Sequence, residues 1–194
     1  MLTYSNKDLF ETGADCLVNT VNCEGFMSKG IAYQFKQRFP ENNEAYRAAC
    51  SNGSMRVGTV LCFREKGVTI INFPTKDRWR RPSTMAYIEK GLDALIRELP
   101  HLNVKTIAIP PLGCGNGGLS WNEVRELIEK KLAPFEQYHF LICQPGNHVV
   151  PAAAEDKEPA AKSLVLLSLE EKLTHFNMTR LLCSCLFVNY YSQQ

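Results

Sequence analysis

Short apolar runs, each too brief for a helix, alternate along this chain with longer segments whose apolar residues recur every three or four positions. That alternation restricts the chain to sheet-and-helix sandwiches. Residues 2–4, 15–21, 59–64, 68–73, 104–109 and 138–143 read as strands. The runs 59–64 and 68–73 are joined by Glu65-Lys66-Gly67 and read as a hairpin or as adjacent strands. Residues 30–39 carry Ile31, Phe35 and Phe39 four apart and read as a helix stopped by Pro40, with a second helix over 41–51. Ser83 is placed to cap a helix whose stripe is Met85, Ile88, Leu92, Ile96 and Leu99. Residues 120–132 form another, opened by Ser120-Trp121-Asn122-Glu123 as a capping box. The expected fold is α/β, a three-layer sandwich with a mixed central sheet.

Composition narrows what such a sandwich does. At 194 residues the chain fits one full domain and an appendage. A net charge of +2 provides no global basic field, so any nucleic-acid contact has to come from a local cluster. The first ten residues lack a basic stretch leading into an apolar run, and residues 181–188 fall short of the roughly 20 needed to cross a bilayer. Eight cysteines are scattered singly within apolar runs, which predicts buried, reduced thiols in a cytoplasmic protein. No CxxC occurs and the four histidines complete no ligand set, so no metal is expected, and no cofactor. After Gln144-Pro145-Gly146 the character changes. Residues 1–145 are expected to form the domain. Residues 146–194 are expected to be an Ala/Pro-rich linker and a helical tail, a truncated second domain.

Three segments can carry chemistry. Gly113-Cys114-Gly115-Asn116-Gly117-Gly118 fits GxGxxG between a strand and a helix, where close backbone approach and a helix start favour an anion. A Rossmann dinucleotide site is disfavoured, because the next strand ends in Gln144-Pro145 without the acidic residue that a ribose needs. The second segment runs from Val18 to Ala32 and bears Asn19, Asn22, Gly25 and Gly30 after a strand. Its amides can meet a ligand or merely close an Asx turn. The third, Lys76-Asp77-Arg78-Trp79-Arg80-Arg81, holds four cations, one anion and an indole. Cations interleaved with an aromatic suit phosphate contact and base stacking, although a solvated loop has the same composition. Each segment follows a predicted strand, so all three can converge on one sheet edge.

In this order and spacing they resemble the macrodomain, an ADP-ribose-binding module. The narrower likeness is to the DNA ADP-ribosyl glycohydrolases, antitoxins that remove ADP-ribose attached by a toxin to a base of single-stranded DNA. It is carried by Val18-Asn19-Thr20-Val21-Asn22, Met27-Ser28-Lys29-Gly30-Ile31-Ala32, Asn72-Phe73-Pro74-Thr75-Lys76 with Trp79-Arg80, and residues 110–121. The resemblance implies that Asp8 meets the adenine amino group with Leu9 nearby. It places Asn19, Thr20, Asn22, Met27, Ser28, Lys29, Gly30 and Ile31 around the distal ribose. The diphosphate falls to Pro111, Leu112, Gly113, Cys114, Gly115, Asn116, Gly117 and Gly118. Lys76 matches the catalytic lysine, with Asn22 assisting near the scissile carbon. Arg78, Trp79, Arg80 and Arg81 fall to DNA. Related terminal-ADP-ribose hydrolases pair the lysine with an aspartate where this chain has Gly117. The cognate toxin is the implied partner, and the tail is short for a toxin-inhibiting domain.

Lys76 can protonate the leaving base as an ammonium, or attack the sugar as an amine. The amine route needs a lowered pKa, which three nearby arginines are expected to provide by like-charge repulsion. A reader module that binds ADP-ribose without catalysis is the alternative. A dinucleotide oxidoreductase is a third, weaker reading.

Overall fold

The computed structural model describes residues 1–146; the linker and tail expected beyond them, with Cys183 and Cys185, lie outside the described residues. Six strands form one sheet: β1 (Leu2–Ser5), β2 (Cys16–Val21), β3 (Leu61–Glu65), β4 (Val68–Pro74), β5 (Thr106–Ile109) and β6 (His139–Cys143). Their spatial order is β1-β6-β5-β2-β4-β3. All neighbours run parallel except β3, which is antiparallel to β4. The β3–β4 connection is a two-residue turn, with Lys66 at φ 50° and Gly67 at φ 80°. Two positive φ values match the twist of a tight hairpin, and glycine takes the second without strain.

Strand alternation sorts the core into two layers. Cys16, Val18, Ile71, Phe73, Ile107, Ile109, Phe140 and Ile142 face α3 (Met85–Glu98) and α4 (Trp121–Leu132), where Ile88, Leu92, Leu95, Val124, Ile128 and Leu132 meet them. Leu17, Val21, Ile70, Ala108 and Cys143 face α1 (Gly30–Arg38) and α2 (Pro40–Ser51), against Ala32, Phe35, Tyr46 and Ala49. Pro40 both ends α1 and opens α2, because its fixed φ and missing N–H suit a first helical position. The α1/α2 layer also buries a polar chain. Asn19 on β2 donates to Asn72 Oδ1 on β4 at 2.9 Å, and Asn72 donates to Asn42 Oδ1 on α2 at 2.7 Å. The Asn42 N–H then donates to Glu65 at 2.9 Å.

Two caps differ from expectation. Thr84, not Ser83, caps α3, accepting from the Tyr87 N–H at 3.3 Å. Ser83 is instead drawn inward, where its N–H donates to the Gly117 carbonyl at 3.0 Å. Ser120 does precede α4, but its side chain makes no capping bond, so the expected capping box does not form. The thiols are also less uniform than expected. All six described cysteines are free, yet only Cys16 and Cys143 are buried. Among the described residues, no helix is long and apolar enough to cross a membrane, and no cluster of side chains could hold a metal ion.

Candidate active site

The connections that leave the neighbouring strands β2 and β5 run to opposite sides of the sheet, and such a divergence opens a crevice at the carboxyl edge between them. A cavity of about 880 Å³ lies there. Residues at or just beyond the ends of four parallel strands line it: Thr20–Asn22 after β2, Thr75 and Lys76 after β4, Pro110 and Pro111 after β5, and Gln144–Gly146 after β6. The three segments singled out from the sequence therefore converge on a single wall.

One side of this cavity is the glycine loop. Gly113, at φ 71°, turns the chain back after β5. Three bonds then close the loop on itself: Cys114 N–H to Pro111 O at 3.2 Å, Gly118 N–H to Gly115 O at 3.1 Å, and Leu119 N–H to Gly113 O at 3.1 Å. None of these uses the N–H of Gly115, Asn116 or Gly117, which leaves consecutive donors suited to an anion. Ser83 backs the loop. A Cβ on Gly117 would stand 2.3 Å from both Gly113 O and Ser83 Oγ, so the loop as folded admits no side chain there. The helix start beside the loop differs from the expected one. Gly30, Ile31 and Ala32 at the N-terminus of α1 line the cavity, whereas α4 begins three residues past the loop and does not reach it. The unpaired N–H groups and positive dipole end on this site thus belong to α1.

Lys76 crosses between the two sides. Its Nζ donates to the Asn116 carbonyl at 2.6 Å and lies 3.5 Å from the Trp79 carbonyl. Burial holds its pKa below the ordinary lysine value. The expected cause, repulsion from Arg78, Arg80 and Arg81, is corrected: desolvation accounts for the shift, and Arg78 and Arg81 are exposed on the loop beyond the cavity. Among the described residues lining the cavity there is no Asp or Glu.

The loops after β2 and β4 are stitched together beside Lys76. Cys23 N–H donates to Asp77 O at 3.2 Å, and the Cys23 thiol donates to the Lys76 carbonyl at 3.4 Å. Burial pushes that thiol's pKa up to about 12, so it stays protonated and able to donate.

Residues 18–128 match the Macro domain family, over more than half of the chain. The chain is a macrodomain. It is 39% identical over 178 residues to the DNA ADP-ribosyl glycohydrolase of Thermus aquaticus, covering 90% of this chain and 47% of that protein. It is 48% identical over 151 residues to the Mycobacterium tuberculosis protein of the same name, covering 76% of this chain and 43% of the relative. The chain thus spans less than half the length of these relatives. The solved macrodomain of Mycobacterium tuberculosis DarG superposes with a TM-score of 0.73 at 43% identity, over 75% of this chain and 99% of that one. Thermosipho africanus DarTG, solved in complex with ADP-ribose, superposes with a TM-score of 0.69 at 27% identity, over 74% of this chain and 41% of that one.

Within this macrodomain the expected site residues fall into two sets. Thr20, Asn22, Ser28, Lys29, Gly30, Ile31, Lys76, Trp79, Arg80, Pro111, Gly113, Cys114, Gly115, Asn116 and Gly117 all line the cavity. Asp8, Leu9, Asn19, Met27, Leu112, Gly118, Arg78 and Arg81 lie outside its lining. Asn19 is fully buried in the amide chain, and Leu9, Met27 and Leu112 are core side chains. Asp8 caps a short turn, its Oδ1 accepting from the Phe10 N–H at 2.8 Å.

Asn22 lies on the lining, but its carboxamide closes the following turn. Its Oδ1 accepts from the N–H groups of Glu24 and Phe26, and its Nδ2 donates to Phe26 O at 2.6 Å. The Tyr46 hydroxyl donates to the Asn22 carbonyl at 2.8 Å. Both amide atoms of Asn22 thus help to close the turn that follows β2.

Sequence reasoning did not name as site residues Val21, Phe26, Ala32, Thr75, Pro110, Gln144, Pro145 and Gly146, all of which line the cavity. Gln144-Pro145 was legible as the end of a strand whose neighbours carried candidate residues. Phe26 gave no such signal, because an aromatic after a strand is ordinarily core.

Proposed function

We propose that this macrodomain is a DNA ADP-ribosyl glycohydrolase, removing ADP-ribose from a base of single-stranded DNA as the antitoxin partner of a DNA-modifying toxin. One observation carries the reading: a lysine of lowered pKa stands over a glycine loop in a cavity with no carboxylate among the described residues that line it. Relatives at 39% and 48% identity bear that activity in their names. In this reading the diphosphate sits against the free N–H groups of the glycine loop and the start of α1. Lys76 then reaches the distal ribose, while Trp79 and Arg80 lie on the side where DNA arrives.

Burial lowers the Lys76 pKa toward the amine form, which the nucleophilic route requires. Nζ bonds to C1″ as the bond from C1″ to the base breaks, and the electron pair leaves with the base nitrogen, which takes a proton from solvent. The proton lost from Nζ passes to the ring oxygen as its bond to C1″ breaks, and the nitrogen lone pair completes an iminium. Water hydrolyses it to free ADP-ribose and regenerates the lysine. A lone amine performs this sequence without the aspartate that Gly117 has no room for.

Lys76→Ala is expected to keep ADP-ribose affinity while release from ADP-ribosylated single-stranded DNA stops. Borohydride added during turnover is expected to leave ADP-ribose covalently on Lys76. The sign of the pH dependence follows from the shift: kcat/KM rises as pH passes a lysine pKa displaced below its ordinary 10.5. A rate that instead falls through that pKa, with no trapped adduct, assigns Lys76 to proton donation as an ammonium. The two carbonyls it contacts are compatible with that role. Undiminished release by Lys76→Ala removes the lysine from the reaction. Tight ADP-ribose binding without release from either a thymine or a guanine linkage makes the domain a reader.

A further inference from the structure

Two large aromatics are left open at the cavity mouth. Phe26 is 39% exposed and Trp79 40%, although both line the cavity that holds Lys76. Their rings are 6.2 Å apart and tilted by 58°, and the Arg80 guanidinium stands 4.6 Å from the indole centre. The backbone that carries the two rings is fixed by side-chain bonds. Asn22 binds both the N–H and the carbonyl of Phe26, and Glu24 accepts from the Trp79 N–H at 2.7 Å. A fixed cation–aromatic–aromatic group beside a reactive amine is a surface for stacking.

We propose that Phe26, backed by Trp79 and Arg80, is the subsite that stacks the nucleobase from which ADP-ribose is removed. The inference rests on the hydrolase reading and adds a base-recognition residue to it. Lys76 Nζ stands between the Asn116 carbonyl of the glycine loop at 2.6 Å and the Trp79 carbonyl at 3.5 Å, so with the diphosphate on the glycine loop the base departs toward the Trp79 side. An unpaired base offers a free face to an aromatic ring irrespective of its identity, which fits a single-stranded substrate. Asn22 and Glu24 act through this group as positioning residues, which accounts for an amide on the cavity wall whose atoms are both engaged locally.

The test compares wild type, Phe26→Leu and Phe26→Tyr in release from ADP-ribosylated single-stranded DNA, with calorimetry of free ADP-ribose alongside. Stacking of one base predicts that Phe26→Leu lowers kcat/KM by about tenfold or more. Phe26→Tyr is expected to restore it, and ADP-ribose affinity to stay within about twofold of wild type, since the nucleotide end of the ligand does not meet this ring. An independent readout uses the fact that the chain has two tryptophans. In Lys76→Ala with Trp121→Phe, ADP-ribosylated oligonucleotide is expected to quench Trp79 emission, and free ADP-ribose is not. Wild-type kinetics in Phe26→Leu overturn the subsite. So does an equal loss of free ADP-ribose affinity, which places the ring at the sugar. Should wild type release nothing from thymine- or guanine-linked strands, the hydrolase reading fails, and the quenching result alone decides whether a base stacks here.

Discussion

The two sides of the cavity are built on opposite principles. The glycine-loop side is made of main chain: closed turns, unpaired N–H groups, and a position where even a methyl group would meet Gly113 O at 2.3 Å. The Phe26–Trp79–Arg80 side is made of exposed side chains on loops whose backbone is pinned by Asn22 and Glu24. In the reading proposed above, the main-chain wall receives the diphosphate common to every substrate, and its geometry tolerates almost no change. In the same reading the side-chain wall meets what varies, the base and its strand, and its exposed side chains can be altered without collapsing the fold. Lys76 spans the two, anchored on the loop through Asn116 O and beside the aromatic side through Trp79 O.

That contrast can be broken most sharply at the bridge. Lys76→Ala is expected to lower turnover by about a hundredfold or more, the scale of losing a reacting group, while calorimetry shows ADP-ribose still bound. Gly117→Ala comes next. Its Cβ has backbone and Ser83 in its way, so ADP-ribose affinity is expected to fall by about tenfold or more, with Tm lowered by local strain of about 1–3 kcal/mol. A Gly117→Ala protein that binds as wild type means the loop rearranges, and the main-chain wall is softer than its geometry implies. The smallest effect belongs to the outer side. Arg80→Glu with Arg81→Glu is expected to slow release from modified DNA at low salt and to flatten its salt dependence, because phosphate contacts displace counterions. Free ADP-ribose binding should be nearly unchanged. Equal loss of both would assign these arginines to ADP-ribose itself rather than to the strand.

The two sides also differed in how far they could be read in advance. Gly113–Gly118 announced itself, because a glycine-dense turn is a local signal, whereas Lys76 was singled out by the resemblance and not by its place in a cationic loop. Strand and helix limits were legible for a similar reason: β2, expected over 15–21, runs Cys16–Val21, and α1, expected over 30–39, runs Gly30–Arg38. Asn19 and Asn22 show where such reading stops. Both are amides on one short stretch, yet one is sealed under α2 and the other closes the turn that holds Phe26. Their roles depend on Asn72, Asn42 and Tyr46, which lie far along the chain. Ser83 and the capping box at Ser120 failed similarly, since tertiary demand drew Ser83 to Gly117 and left the Ser120 side chain without its bond.

By itself the sequence determined the layered α/β class, the strands that carry candidate residues at their ends, and the presence of a lysine and a glycine loop. Hydrophobic period, glycine and charge act within a few residues of one another, so they need no partner to be legible. Only the tertiary structure decided that α1 rather than α4 presents its N-terminus to the cavity, that burial rather than arginine lowers the Lys76 pKa, and that Phe26 is left open beside it. Each of these is set by which distant surfaces remove water from a group and which leave it exposed. Chain winding and packing fix that, and no local pattern encodes it.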